Sequence, residues 1–352
     1  MKQAAIIILL IVTIVFCVFG MQNTDSVAGT GTPVKQLIPE GFPPPVYRFQ
    51  NNPLTKEGIA LGRKLFYDGR LSRDSITSCA SCHQQFAAFA DFEHPFSHGF
   101  DNAFTQRNAP ALFNLAWQKE FHLDGGINHI EVQPLAPLLD PHEMAASLDT
   151  VLLLLNKDDQ YRKMFKAAFG DAKITSQQML KALAQFTGTI ISANSKYDRV
   201  RNGLDSFNLY EQRGYELFRQ HCNSCHREPL FTDFSYRNIG LPLDTFLKDY
   251  GRMRITGFPG DSLKFKVPSL RNVSGTPPYF HDGRTWGLIT ALDHFSTATQ
   301  DPHTDSLIAQ GKKLAMRDTQ YLLYFLNTLT DSLLIKDPSL SDPEFKPYIH
   351  LR

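Results

Sequence analysis

The chain is poor in thiols. Five of its 352 residues are cysteine, and one of them, Cys17, lies in an apolar N-terminal run. Four are left for the rest of the protein, which at this length buries a core without a disulfide framework. An excess of charge is also lacking. Lysine and arginine number 36 against 35 aspartates and glutamates, which excludes the broad basic face of a nucleic-acid binder. Nowhere does a sustained apolar–polar alternation mark a large sheet. Tryptophan occurs only twice, at Trp117 and Trp286.

What is present suits a globular protein of two domains, with 42% hydrophobic and 20% charged residues. Residues 1–20, "MKQAAIIILLIVTIVFCVFG", begin with Lys2 and then carry no charge from Ala4 to Gly20. Val18 and Gly20 satisfy the small-residue rule for export cleavage, so the expectation is a periplasmic or otherwise exported protein. A retained membrane anchor is the alternative, since the run is long for a signal and short for a span. Residues 21–40 read as a flexible leader of polar and small residues.

All four remaining cysteines fall in two copies of one pattern, "CASCH" at 79–83 and "CNSCH" at 222–226. As half of a zinc site, each copy crowds three donors into five residues, and the adjacent histidine is badly placed to join both thiolates on one tetrahedron. A dithiol redox pair leaves the histidine without a role. Covalent attachment of a c-type haem uses every residue: two thioethers from Cys79 and Cys82, or from Cys222 and Cys225, and an iron ligand from His83 or His226.

The surroundings are duplicated as well. "GRKLF" before the first motif matches "GYELF" before the second, each in an amphipathic helix. Ile59, Leu61, Leu65 and Phe66 form one apolar face; Leu209, Tyr210, Leu217 and Phe218 are expected to form the other. "APALFNLAWQKEFHLDGG" (109–126) aligns without gaps to "VPSLRNVSGTPPYFHDGR" (267–284), pairing Pro110 with Pro268, Asn114 with Asn272 and Asp124 with Asp282. Such self-similarity means two homologous units. Helices are expected over 147–170 and 176–192, a linker over 194–203, and an apolar stripe of Leu322, Phe325, Leu326 and Leu329. The fold class is all-α, with two cytochrome c-like domains at 41–195 and 205–335, each enclosing one covalently bound haem, long loops, and a tail at 336–352.

The stretches "LFYDGRLSRDSITSCASCH", "SHGF", "QRNAPALFN", "DPHEM", "CNSCHREPLFTDFSYRNIG" and "VPSLRNVSGTPPYFHDGR" together resemble the bacterial di-haem cytochrome c peroxidases, including the MauG-like di-haem enzymes. The resemblance runs from about Leu37 to Thr330. It implies two haem c groups, the N-terminal one reacting with hydrogen peroxide and the C-terminal one delivering electrons from a small cytochrome c or cupredoxin. Glu143 falls on the family's acid–base glutamate and Gln133 on its nearby glutamine. His98 matches a distal iron ligand, with His94 a competitor. Asn108, with the carbonyls of Thr276 and Pro278, matches the ligands of a calcium ion between the domains. Homodimers are common in the family.

The chain departs from this pattern twice. Leu123 stands where relatives carry a tryptophan between the haems, and Trp117 or Trp286 would have to substitute. Phe295 stands where the C-terminal iron takes methionine or tyrosine, which makes the adjacent His294 a candidate sixth ligand; His281 lies outside the ligand set. The leading expectation is an exported peroxidase. A MauG-like oxidase of a protein or organic substrate is the first alternative, and a non-enzymatic di-haem electron carrier the second.

Overall fold

A computed structural model describes residues 30–92, 94–299 and 301–344. The export segment and residues 21–29 lie outside the described residues. Among those described, no helix is long and apolar enough to cross a membrane. The architecture is mostly helical. Among the described residues, regular strands are limited to two-residue Tyr236–Arg237 and Phe265–Lys266, paired antiparallel with Tyr236 opposite Lys266.

Each half is built on one crossing of two helices. Lys56–Tyr67 packs on Ser176–Gly188 in the N-terminal half, and Leu209–His221 packs on Met316–Asn327 in the C-terminal half. Both crossings turn on a glycine of the duplicated Gly-x-x-Leu-Phe pattern. A methyl group on Gly62 would collide with the Ala182 carbonyl, and one on Gly214 with that of Tyr321. The backbones therefore approach as closely as they do only because these positions lack a Cβ. The Leu-Phe pairs that follow, Leu65–Phe66 and Leu217–Phe218, are buried in the two cores.

The expected apolar faces hold with one correction. Leu61, Leu65 and Phe66 are buried and Ile59 packs partly, but Leu209 and Tyr210 are 87% and 55% exposed. They occupy the first turn after the Asn208 cap, at the rim of the crossing, where Tyr210 meets Tyr321 and Tyr324 of the partner helix at the surface. Leu322, Phe325, Leu326 and Leu329 are all buried. The helix expected over 147–170 is two, Leu148–Lys157 and Asp159–Phe169. Asp158 breaks it, leaving the helical region and accepting the N–H groups of Gln160 and Tyr161 as an N-cap.

Three boundary segments are more ordered than their composition suggests. From Thr30 to Glu40 the chain lies on the N-terminal domain: Val34 donates its N–H to the Leu54 carbonyl at 2.8 Å, and Lys56 donates to Thr32 at 2.9 Å. The expected linker contains the Lys196–Arg201 helix, whose Tyr197 belongs to the C-terminal core and whose Asp198 pairs with fully buried Arg271 at 2.7 Å. Past Thr330 the chain returns to the N-terminal domain. Leu334 joins that domain's core, Tyr67 donates to the Leu340 carbonyl at 2.8 Å, and Lys64 pairs with Glu344.

Candidate active site

The duplication extends to the histidine that follows each cysteine pair. His83 Nδ1 lies 2.9 Å from the Phe89 carbonyl, and His226 Nδ1 lies 3.2 Å from the Phe231 carbonyl and 3.1 Å from that of Pro268. A carbonyl can only accept, so each ring places its proton on Nδ1 and keeps the Nε2 lone pair free. This is the tautomer an axial ligand needs. Phe89 and Phe231 both adopt positive φ, 63° and 55°, which turns their carbonyls toward the rings. Burial lowers the His83 pKa to about 4 and drives that of His226 down as well, so both rings are neutral donors.

Burial also pushes the Cys79 and Cys222 thiols up to about 12 and that of Cys82 to about 11. Held as thiols, they are poor redox nucleophiles. Among the described residues, no three of His, Cys, Asp and Glu gather into an ion-binding cluster.

Cys79, Cys82 and His83 line one cleft. Its walls are largely apolar, from Phe66, Leu112, Pro134, Pro137, Met144 and Leu183, with the hydroxyls of Thr77, Ser78 and Thr187 and the longer polar side chains of Gln133 and Glu143 among them. A cysteine pair, a histidine with a free Nε2 and an apolar slot fit a covalently bound haem. A larger polar groove lined by Tyr47, Arg48, His129 and Glu131 contains none of these residues.

Glu143 reaches the cleft on the turn after the Leu135–Leu139 helix, where its N–H donates to the Asp140 carbonyl at 3.1 Å. Burial, with a smaller contribution from the Asp140 carboxylate, raises its pKa to about 7. A carboxyl so poised can both take and give a proton near neutrality.

The structure brings Gln133, Glu143, Cys79, Cys82 and His83 together, and it leaves His98 outside. His98 is exposed, with its ring 4.7 Å from that of His94 and 4.5 Å from that of Phe104. Its loop is closed by an isolated antiparallel bridge between His98 and Phe104.

At the C-terminal site, Cys222, Cys225 and His226 repeat the first arrangement. His294 ends the Leu288–His294 helix with its Nε2 2.8 Å from the Ile239 carbonyl. That nitrogen therefore carries a proton and is committed to the backbone. Phe295 lies beside Phe280, ring centroids 6.4 Å apart.

Between the domains, Lys266 donates its N–H to the Leu123 carbonyl at 2.7 Å and its ammonium to Gln118 Oε1 and the Glu120 carbonyl. Trp117 is buried against Phe42 and donates to the Pro43 carbonyl at 2.7 Å, while Trp286 is 52% exposed, so neither takes the place of an aromatic at Leu123. Asn108 donates its N–H to the His281 carbonyl at 2.8 Å, and its Nδ2 faces the carbonyls of His94 and Pro95. This ties Asn108 to the Tyr279–Thr285 turn that carries His281. His281 stacks on Phe265 at 3.9 Å, away from any ligand role.

Sequence reasoning missed the carbonyls of Phe89 and Phe231, because backbone acceptors leave no residue-type signal. It also missed His122, whose buried Nε2 has no hydrogen-bond partner.

Known proteins share this arrangement. The profile described as Di-haem cytochrome c peroxidase matches residues 56–206. Methylamine utilization protein MauG of Methylorubrum extorquens is 34% identical over 297 residues, covering 83% of this chain and 82% of that protein. Cytochrome c551 peroxidase of Nitrosomonas europaea is 32% identical over 303 residues, covering 82% and 86%. The crystal structure of a MauG-like protein associated with microbial copper homeostasis superposes with a TM-score of 0.79 at 32% identity, covering 87% of this chain and 98% of that one. With two matching haem-binding halves and relatives of this identity along most of its length, the chain belongs to the di-haem cytochrome c peroxidase family.

Proposed function

We propose that the protein reduces hydrogen peroxide to water at the N-terminal haem site, drawing electrons through the C-terminal one. The observation that carries this reading is the convergence of Glu143 and Gln133 on the cleft that holds Cys79, Cys82 and His83. Bound there, a haem iron would accept a peroxide oxygen and supply electrons for O–O cleavage. Glu143 takes the proton from the oxygen nearer the iron and returns it to the departing one. Gln133 orients the peroxide by hydrogen bonding, and the apolar wall excludes bulk water. In balance, H2O2, two protons and two electrons give two waters. The electrons come from a small cytochrome c or cupredoxin outside the cell membrane.

His98 is exposed on its loop and is not among the residues lining the cleft, which supports a reading in which a haem held by Cys79, Cys82 and His83 would keep its peroxide side free without prior reduction. A calcium ion held by Asn108 and the Thr276 and Pro278 carbonyls belongs to the same proposal. Its support is the contact of Asn108 with the His281 turn. The test is steady-state turnover of peroxide with a reduced small cytochrome, in protein carrying two haems per chain. Peroxide left unconsumed by such protein overturns the reading.

A second reading, oxidation of a protein or organic substrate, is favoured by Phe295. Without a donor atom there, the C-terminal site lacks the thioether that tunes it as a methionine-ligated relay. Turnover of an added organic reductant without any cytochrome would support it. A pure electron carrier has no use for a buried carboxyl of pKa about 7 over the haem cleft.

A further inference from the structure

The polar groove that holds Tyr47 shares its walls with the N-terminal haem cleft. In the 129–133 turn, Glu131 lines the groove and Gln133 lines the cleft, and the N–H groups of Val132 and Gln133 both donate to the His129 carbonyl at 3.1 Å. In the Ser176–Gly188 helix, Gln177 and Lys181 line the groove, while Leu183 and Thr187 line the cleft. Gly188 sits so close to the Phe49 ring, another groove residue, that a methyl group there would collide with it. One turn and one helix therefore serve both cavities. At about 760 Å³ the groove falls within the usual size of small-molecule sites, about 300–1,000 Å³.

Tyr47 is fixed in this groove by its backbone and its hydroxyl. Its N–H donates to the Ala116 carbonyl and its own carbonyl accepts from Gln36 Nε2, both at 2.9 Å. The hydroxyl donates to Glu131 Oε1, and the ring packs edge-on against Phe49 and His129, with centroids 4.6 and 5.4 Å away. Four other tyrosines among the described residues donate to a carboxylate, and each differs in a way that matters for losing an electron. Tyr161 is fully buried, with Lys64 and Arg70 each 5.6 Å from its ring centre. Arg219 stands 5.9 Å from the Tyr215 ring, and Arg252 stands 3.7 Å from that of Tyr236. A cation over the ring opposes removal of an electron. Tyr197 is 1% exposed, out of reach of any solute. Among the described residues, no cation stacks on Tyr47, and the groove opens at its side. Burial and the Glu131 carboxylate hold its pKa far above the usual tyrosine value, so the ring gives up its proton only together with an electron.

We infer that this groove binds a small electron-rich phenol and that Tyr47 relays its oxidation to the N-terminal haem site, with Glu131 as the proton acceptor. Tyr47 gives one electron toward the cleft and its hydroxyl proton to Glu131. The phenol restores it with one electron, Glu131 returns the proton, and the phenol's own proton leaves to solvent. Two such turns balance as two phenols and one H2O2 giving two phenoxyl radicals and two waters. The inference rests on peroxide being reduced at the N-terminal site and adds a second source of electrons for it.

The test uses haem-loaded protein and 4-methoxyphenol. Calorimetric binding of the phenol to the oxidised protein, without peroxide, should be lost when the groove is filled by Gln177→Trp or Lys181→Trp. Peroxide added without a reductant, followed by rapid freezing, should give a tyrosyl radical in electron paramagnetic resonance that Tyr47→Phe removes. Glu131→Gln accepts the hydrogen bond but takes no proton, and should slow formation of the radical at least ~100-fold, the low end for general base catalysis. Tyr47→Phe should also cut peroxide turnover with the phenol at least about tenfold more than turnover with a reduced small cytochrome. Phenol binding unchanged in both tryptophan variants, a radical that survives Tyr47→Phe, or equal losses with the two reductants overturns the inference and leaves the peroxidase reading standing. If neither reductant supports peroxide consumption by the wild-type protein, the peroxidase reading falls and this inference with it.

Discussion

Phe100 donates its backbone N–H to the carbonyl of Glu143 at 2.6 Å, and Gly99 beside it lies so close to the His142 and Glu143 backbone that no side chain would fit. The loop that carries His98 is thus locked to the turn that carries the acid–base candidate. Ser97 adds two further ties, donating to Asp91 at 2.6 Å and accepting the Thr105 N–H at 3.0 Å. These bonds fix the backbone on both sides of His98.

The first prediction follows from that lock. Low-temperature electron paramagnetic resonance of the fully oxidised protein should show a high-spin N-terminal haem, and His98→Ala should leave the signal unchanged. A low-spin spectrum that turns high-spin in His98→Ala would return His98 to the iron.

Glu143 should govern the pH dependence. Its carboxyl must be ionised to accept the first peroxide proton, so kcat/KM should rise with pH along a limb centred near pH 7. Glu143→Gln should remove that limb and cut turnover at least ~100-fold, the low end for general acid–base catalysis. The same shift has a stability signature. The folded state holds this proton more tightly than the unfolded one, so stability falls as pH rises from the ordinary glutamate range through about 7. Thermal melts of Glu143→Gln should lack this fall.

The C-terminal site can be given a donor. Phe295→Met should place a thioether where the ring now lies and raise the reduction potential of that haem, with a shift of about 59 mV meaning tenfold in the electron equilibrium. Spectroelectrochemical titration reads it directly. His294→Ala should leave the haem spectrum unchanged, because its Nε2 is already given to Ile239.

Gly214→Ala should destabilise the C-terminal domain by about 3 kcal/mol or more, since overpacking a rigid backbone crossing exceeds ordinary core crowding. Calorimetry should show the loss first in one of two transitions. An unchanged profile would mean that the helices part without cost.

Much of this was legible before the fold. The cysteine–histidine pairs, the duplicated segments and the glycines before Leu-Phe are carried by residue type and spacing, and the structure keeps them in equivalent places. The convergence of Glu143 and Gln133 was reached through resemblance, because no local pattern relates a glutamine in "EVQP" to a glutamate ten residues on. What stayed hidden depended on the backbone or on distant partners. Phe89 and Phe231 act through carbonyls that any residue would offer. The order in 30–40 and 196–201 comes from tertiary contacts that override polar composition. Leu209 and Tyr210 satisfied the helical period but sit at the rim of the crossing, where Tyr210 meets Tyr321 and Tyr324 with much of its ring in solvent.

The closing segment gives the protein a particular order of birth. Leu334 completes the N-terminal core, and Arg63 donates to the carbonyls of Pro338 and Ser341. A chain leaving the ribosome therefore holds its first domain unfinished until nearly the last residues emerge. The N-terminal core is thus completed by a segment that has already passed through the C-terminal domain.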